Sequence, residues 1–282
     1  MKTILIPSED HDAMPAVLEA ARLVARKFDS YIEGFAVRPS LGTYVTVEPV
    51  SGMAISSGFD GDTAKLVRSE FMAFMASHGV PQATSAEGPA TFSYDWPREA
   101  YAEDDFIGSH GRFFDLIVLG RPGPEAKNAR MPPFEAALFE SGKPALLVPT
   151  AVPQSLGRNV LIAWNDSTEQ AHTNALAMPL LCLADEVTVL TVEGGSATPA
   201  SCKAAALHLR RNGVKASASI VKSRAHQSGE ATGEITLEYA DKLGCDLLVK
   251  SAYTQSRLRQ MIFGGATRHI LGNATLPIFM AH

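Results

Sequence analysis

Cysteine is scarce. Cys182, Cys202 and Cys245 are the three in 282 residues. They form no Cys-x-x-Cys pair and no Cys/His cluster, which argues against a disulfide framework and a structural zinc site. They read as small buried hydrophobes in a reducing compartment. Basic charge is not in surplus either: 25 Lys+Arg stand against 30 Asp+Glu, a formal charge of −5. That balance argues against a grip on nucleic acid or an anionic membrane, which needs a clustered basic face. Long apolar runs are also missing. The start has only Ile4-Leu5-Ile6 together before Glu9 and Asp10, too little for a signal peptide. The most apolar run, Ala175–Ala184, is too short for a bilayer and carries Pro179. The expectation is a cytoplasmic protein with no membrane or nucleic-acid partner.

What is present is an ordinary globular composition, 46% hydrophobic and 20% charged, which excludes an architecture dominated by disorder. The length lies where one core gives way to two, and an internal repeat favours two. Thr3–Ser8 matches Asn159–Trp164, Asp115–Gly120 matches Asp246–Ser251, and Lys143–Pro149 matches Leu276–Ala281. The order is the same in both halves. Asp115 and Pro144 are 29 residues apart, Asp246 and Pro277 are 31. The earlier gap differs, 111 residues from Ile4 to Asp115 against 86 from Val160 to Asp246. The first half therefore carries an insertion, placed in the Gly/Ser-rich stretch 41–63. The expected domains are 1–150 and 158–282.

Short continuous Ile/Val/Leu runs read as strands buried on both faces, as in a parallel sheet covered by helices. In the first half, Val17, Leu18, Ala21, Val24, Ala25 and Phe28 predict a helix after start signals at Asp10–Asp12. Leu66, Val67, Phe71, Phe74 and Met75 predict one face of a second helix over 63–78. The second half predicts helices over 167–184, 200–212, 229–243 and 257–272, and strands over 186–192, 214–221, 245–250 and 277–281. Strands alternating with such helices are βαβ units. Ligands of these sheets bind outside the carboxyl ends of the strands, here after Pro7, Val37, Gly120, Trp164, Val192 and Lys250.

From Cys245 to Leu271, and again at Leu276-Pro-Ile-Phe-Met-Ala281, the chain resembles the end of a universal stress protein domain. The resemblance extends to the strand at Val160-Leu-Ile-Ala-Trp164 and, more weakly, to the first half, and is closest to tandem two-domain members of that family. It implies two Rossmann-like (adenine nucleotide alpha-hydrolase-like) α/β domains, each a five-stranded, mostly parallel sheet flanked by helices. It also implies that the last strands, Ala145–Val148 and Ile278–Met280, pair the halves or serve self-association as in a dimer.

Nucleotide-binding members of the family carry a loop Gly-x2-Gly-x9-Gly-Ser/Thr after the fourth strand, whose backbone amides and following helix hold phosphate. In the second half Ser251 and Thr254 replace the first two glycines, Gly264 is kept and Gly265 replaces the Ser/Thr. In the first half Gly120 and Gly123 are kept, and counting puts Pro133 at the third glycine. In the family an Asp two residues past the first strand's last apolar position lies on the adenine side. Glu9 and Asn165 stand there. Asn165 is read either as an altered adenine or ribose contact or as a turn residue capping the helix that begins near Ser167. Lys250 is read either as a point charge for phosphate, with Arg257 and Arg259 beyond it, or as a side chain that snorkels out to a carboxylate. Gly108-Ser-His-Gly111 has the family's loop spelling but precedes its strand, and is read as a helix-terminating turn, with His110 not a ligand. The resemblance thus leaves Ala163, Asn165, Val192, Lys250, Ser251, Thr254, Gly264, Gly265 and Ala266 as the candidate site. ATP is its candidate ligand, with weak or absent binding.

Three functions compete. The first is a non-enzymatic stress-response or regulatory protein, and the second an ATP-binding switch or slow ATPase. The third is an unrelated small-molecule enzyme. No Gly-x-Ser-x-Gly elbow, Walker A lysine or Gly-x-Gly-x-x-Gly fingerprint supports the third.

Overall fold

The computed structural model describes residues 1–39, 61–84, 88–98, 100–195, 197–222, 228–252 and 264–282. Most of the insertion, Thr254, Arg257, Arg259 and the start of the expected last helix lie outside the described residues. The chain forms two compact units, Met1–Val152 and Pro153–His282.

The first unit runs β1 (Thr3–Ser8), α1 (Met14–Phe28), β2 (Tyr31–Arg38), α2 (Gly61–Ser77), β3 (Ser93–Asp95), β4 (Ala102–Glu103), α3 (Asp104–Gly111), β5 (Leu116–Gly120), α4 (Met131–Glu140) and β6 (Ala145–Val148). Its sheet has the order β3-β2-β1-β5-β6, with β4 on β2. The second unit runs β7 (Asn159–Ala163), α5 (Thr168–Cys182), β8 (Glu186–Val192), α6 (Pro199–Arg211), β9 (Ala216–Val221), α7 (Gly229–Lys242), β10 (Leu247–Val249), α8 (Gly265–Asn273) and β11 (Ile278–Met280). Its order, β9-β8-β7-β10-β11, repeats that of the first. Within each unit these neighbours pair in parallel. The fold is therefore the expected α/β class.

The repeated aspartates have a structural task. Asp115 accepts the backbone N–H groups of Lys2 and Thr3 at 2.5 and 3.2 Å. Asp246 accepts those of Arg158 and Asn159 at 2.9 and 3.0 Å. Each carboxylate pins the start of its unit's first strand beside the strand that follows the aspartate, so the register Leu161↔Leu248 and Ile162↔Val249 follows. The central strands β1, β5, β6, β7, β10 and β11 are buried almost throughout, as parallel strands covered on both faces must be.

Capping chemistry sets the helix starts in the second unit. Ser167 and Ser228 accept the amides of Gln170 and Ala231, and Thr198 with Ser201 closes a capping box on α6. In the first unit α1 begins instead with Pro15 in its first turn, and Ala13 at the N-cap makes no side-chain bond.

Four expectations need correcting. On α2 the buried seam is Val67, Phe71 and Met75, while Leu66 is 48% exposed, because the sheet touches only the i, i+4, i+8 row. Cys202 is buried, but Cys182 is exposed and Cys245 half-buried. Strand β10 is three residues long and leaves Lys250 just beyond it. Gly108 and Gly111 close the last turns of α3 with no left-handed cap. Side chains there would meet Glu140 Cβ at 2.5 Å and Ile117 Cδ1 at 2.6 Å, so close packing of α3 requires these glycines.

Among the described residues no helix is long and apolar enough to cross a membrane. One close approach shapes the second unit: a Cβ on Gly233 of α7 would stand 2.8 Å from the carbonyl oxygen of Ala266 on α8. Backbone cannot yield there as a side chain can. Gly233→Val is expected to destabilise the second unit by about 2 kcal/mol through overpacking, read as an earlier unfolding transition in urea. An unchanged transition would mean that α7 and α8 part without cost.

Candidate functional site

In both units the strand order reverses between the first strand and the fourth long one, β1/β5 and β7/β10. A crevice opens at the carboxyl ends of strands at such a switch point. In the second unit it is a cavity of about 240 Å³. Ala163, Trp164 and Asn165 reach it from the end of β7, Val192 from β8, Lys250 from β10, and Gly264, Gly265 and Ala266 from the start of α8. Seven of the nine candidate residues thus meet around one space.

The other two do not join them. Thr254 lies outside the described residues. Ser251 is fully buried and absent from the cavity wall. Its backbone N–H donates to Gln170 Oε1 at 2.8 Å, and its hydroxyl has no partner among the described residues. A hydroxyl so placed does not offer itself to a phosphate.

Trp164, Leu190, Thr232, Thr236, Thr267 and Ile270 complete much of the wall, and sequence reasoning missed them as ligand groups. Trp164 carried a signal, since it follows the repeat strand. Its indole N–H donates to Ser201 Oγ at 3.2 Å, and its carbonyl accepts the Thr191 hydroxyl at 3.3 Å. The threonines come from helices whose pattern says nothing about a cavity. Asn165 Oδ1 accepts the Ser167 amide at 3.2 Å, next to Asp166 in the left-handed region with φ 62°. It is a turn residue at the entry to α5 that also borders the cavity.

Lys250 follows neither sequence reading fully. It does not reach solvent, being 6% exposed, and among the described residues it meets no carboxylate. Its Nζ donates to the Ser251 carbonyl at 3.0 Å. Burial pulls its pKa down from the ordinary 10.5 to about 8, because a charged amine loses hydration there. Close by, α8 begins at Gly264, and among the described residues no side chain caps it, so the positive end of that helix borders the cavity.

The first unit treats the same edge differently. Arg130, the N-cap of α4, occupies the position that Gly264 holds in the second unit. Counting residues had put Pro133 there, but the first unit's loop is three residues shorter, and Pro133 lies inside the first turn of α4. Arg130 Nε donates to Glu9, and its two terminal nitrogens reach Asp104 at 3.0 and 2.7 Å. Burial pushes the Glu9 carboxyl up to about 7, against the pull of Arg130. His11 is held down at about 4, also by burial, and so is neutral. Gly120 makes room for His11, whose Cε1 would be 2.6 Å from an added Cβ, and Gly123 for Asn128. Neither has positive φ, so both glycines serve packing in this unit. The space left by Glu9, His11, Asn128 and Arg130, about 160 Å³, is polar, and its cation is already neutralised. A larger opening of about 820 Å³ lies by Thr3, Tyr31 and Ser93 at the opposite, amino-terminal ends of the strands, away from the switch point.

Two stability measurements check these opposite solutions. Arg130→Met removes the guanidinium that the buried Glu9 and Asp104 share and is expected to cost about 3 kcal/mol; no loss in thermal or urea unfolding would contradict the triad's role. Lys250→Met is expected to stabilise the protein at neutral pH by up to about 3 kcal/mol, the worth of a pKa lowered from 10.5 to about 8. In that window the unfolded lysine binds the proton more tightly than the folded one, so stability rises with pH. The gain from Met should therefore shrink between pH 8 and 10.5.

No family model and no curated protein matches the chain by sequence. Solved structures do match it by fold. A universal stress protein from Archaeoglobus fulgidus DSM 4304 is similar over 99% of this chain and 95% of its own, with a TM-score of 0.71 and 14% identity. A putative universal stress protein from Pseudomonas aeruginosa UCBPP-PA14 covers 100% of this chain and 93% of its own, with a TM-score of 0.57 and 15% identity. A functionally unknown protein from Pseudomonas aeruginosa PAO1 covers 100% and 92%, with a TM-score of 0.57 and 14% identity. The chain has the universal stress protein fold, as the resemblance in its last strands implied.

Proposed function

We propose that this chain is a non-catalytic stress-response or regulatory protein of the universal stress protein family, with its ligand site in the second unit only. The observation that carries the reading is the contrast between the two switch points. One holds a cation already bound by two carboxylates. The other holds an open cavity with a buried amine and a helix start that no described side chain caps. The groups around the second cavity are suited to holding an anion, which supports a binding role. Adenine nucleotide is the ligand the fold suggests, and its binding is weak or absent. A triphosphate spreads several negative charges, and Lys250 is the single cation among the described wall residues. Self-association through the last strands and a cytoplasmic location belong to the same proposal; the first rests on the sequence resemblance, the second on the sparse cysteines and short apolar runs. The alternative, an ATP-binding switch or slow ATPase, draws its support from Lys250 and Gly264.

Titration calorimetry with ATP tests the choice. The expected result is millimolar affinity or none. Among the described residues nothing stands within 4 Å of a Cβ on Gly264, whose φ is an ordinary −59°, so Gly264→Val adds bulk at the cavity wall without backbone strain. Micromolar ATP binding that Gly264→Val weakens would replace this reading with the nucleotide switch.

A further inference from the structure

We propose that the second unit's cavity is built for a small organic carboxylate with an apolar body, its carboxylate meeting Lys250 and the amino-terminal turns of α7 and α8. The proposal rests on the reading of that cavity as the ligand site, and it names a different class of ligand.

Charge comes first. Lys250 is 6% exposed and uses one of its three N–H donors, on the Ser251 carbonyl. None of the described residues around the cavity is Asp or Glu. An uncompensated buried charge is costly, and the same lysine would lose that cost on meeting one anionic group. Two helix starts point the same way. A Cβ on Gly229 would lie 3.2 Å from the Ala266 amide nitrogen, and one on Gly265 would lie 3.0 Å from that of Glu230. The first turns of α7 and α8 therefore converge at the cavity, and each adds partial positive charge. Glu230, in the first turn of α7, is turned outward, its side chain 78% exposed.

Most of the remaining wall suits an apolar body. Ala163, Leu190, Val192, Ala197 and Ile270 line the space beside Asn165, Thr232, Thr236 and Thr267, with Trp164 held in place by Ser201. Size agrees: a dry cavity of about 150 Å³ takes a benzene ring, so about 240 Å³ suits a short chain or a substituted ring. Among the described wall residues, one formal cation beside a largely apolar lining matches one negative charge on an apolar body. It matches a triphosphate poorly, because most of that charge would be left against hydrocarbon.

The test titrates the full-length protein with sodium octanoate, 1-octanol and ATP, followed by calorimetry and by tryptophan fluorescence. Octanoate is expected to bind at least about tenfold more tightly than octanol. Lys250→Met should bring octanoate down to the level of octanol and leave octanol unchanged. Gly264→Val, which adds bulk at the cavity wall, should weaken both and tests the location independently of Lys250. Equal binding of octanol and octanoate, or octanoate binding indifferent to both substitutions, would overturn the proposal. Micromolar ATP with no octanoate binding at millimolar concentration would overturn it while leaving the cavity a ligand site. No binding of any of the three would overturn the carboxylate proposal, while absent ATP binding alone remains the result expected of the functional reading.

Discussion

Parallel pairing is the constraint from which the rest follows. Each strand of the two sheets runs alongside its neighbours in the same direction, so every connection must cross over a face, and helices cover the strands. The faces are consequently apolar and closed. Polar chemistry can collect only where the strands end. With the order reversing beside the first strand of each unit, the crossovers leave to opposite sides and the crevice between them cannot be filled by either. Position along the chain matters little beside this. Ala163, Val192 and Lys250 are far apart in sequence and share a cavity because each is at or just beyond the carboxyl end of a strand.

The two units start from the same crevice and neutralise it in opposite ways. In the first, a guanidinium at the head of α4 is held by Glu9 and Asp104, a bidentate and hydrogen-bonded arrangement of the kind that makes a partly buried ion pair tolerable. That edge is electrically complete without a ligand. In the second, glycine stands at the head of α8, asparagine replaces the acid, and the buried lysine bonds a single carbonyl among the described residues. Among those residues that edge holds an unbalanced cation. A chain with a formal charge of −5 has no general attraction for anions, so any preference must come from this local imbalance.

Much of the fold was legible because it rests on local rules. Apolar runs marked the strands, and Ser167 marked one helix start; Thr198 and Ser228, which the sequence reading passed over, cap two more by the same chemistry acting over three residues. The repeat was legible too, and Asp115 and Asp246 show why those residues recur: each ties down the first strand of its unit. The site was legible in outline. Counting along the loop failed in the first unit because loop length is not set by the strands around it, and Arg130, not Pro133, heads the helix. Ser251 was misjudged because burial at a strand end varies residue by residue: its neighbour Lys250 lines the cavity, while Ser251 is fully buried off its wall and its backbone N–H donates to Gln170.

By itself the sequence determined the α/β class, the repeated order of elements and the edge at which chemistry would gather, since periodicity, capping and parallel crossovers are all written in neighbouring residues. Only the tertiary structure decided which edge is electrically satisfied. That depends on whether a charged side chain finds a partner across space: Arg130 finds Glu9 from 121 positions away, and among the described residues Lys250 finds no carboxylate.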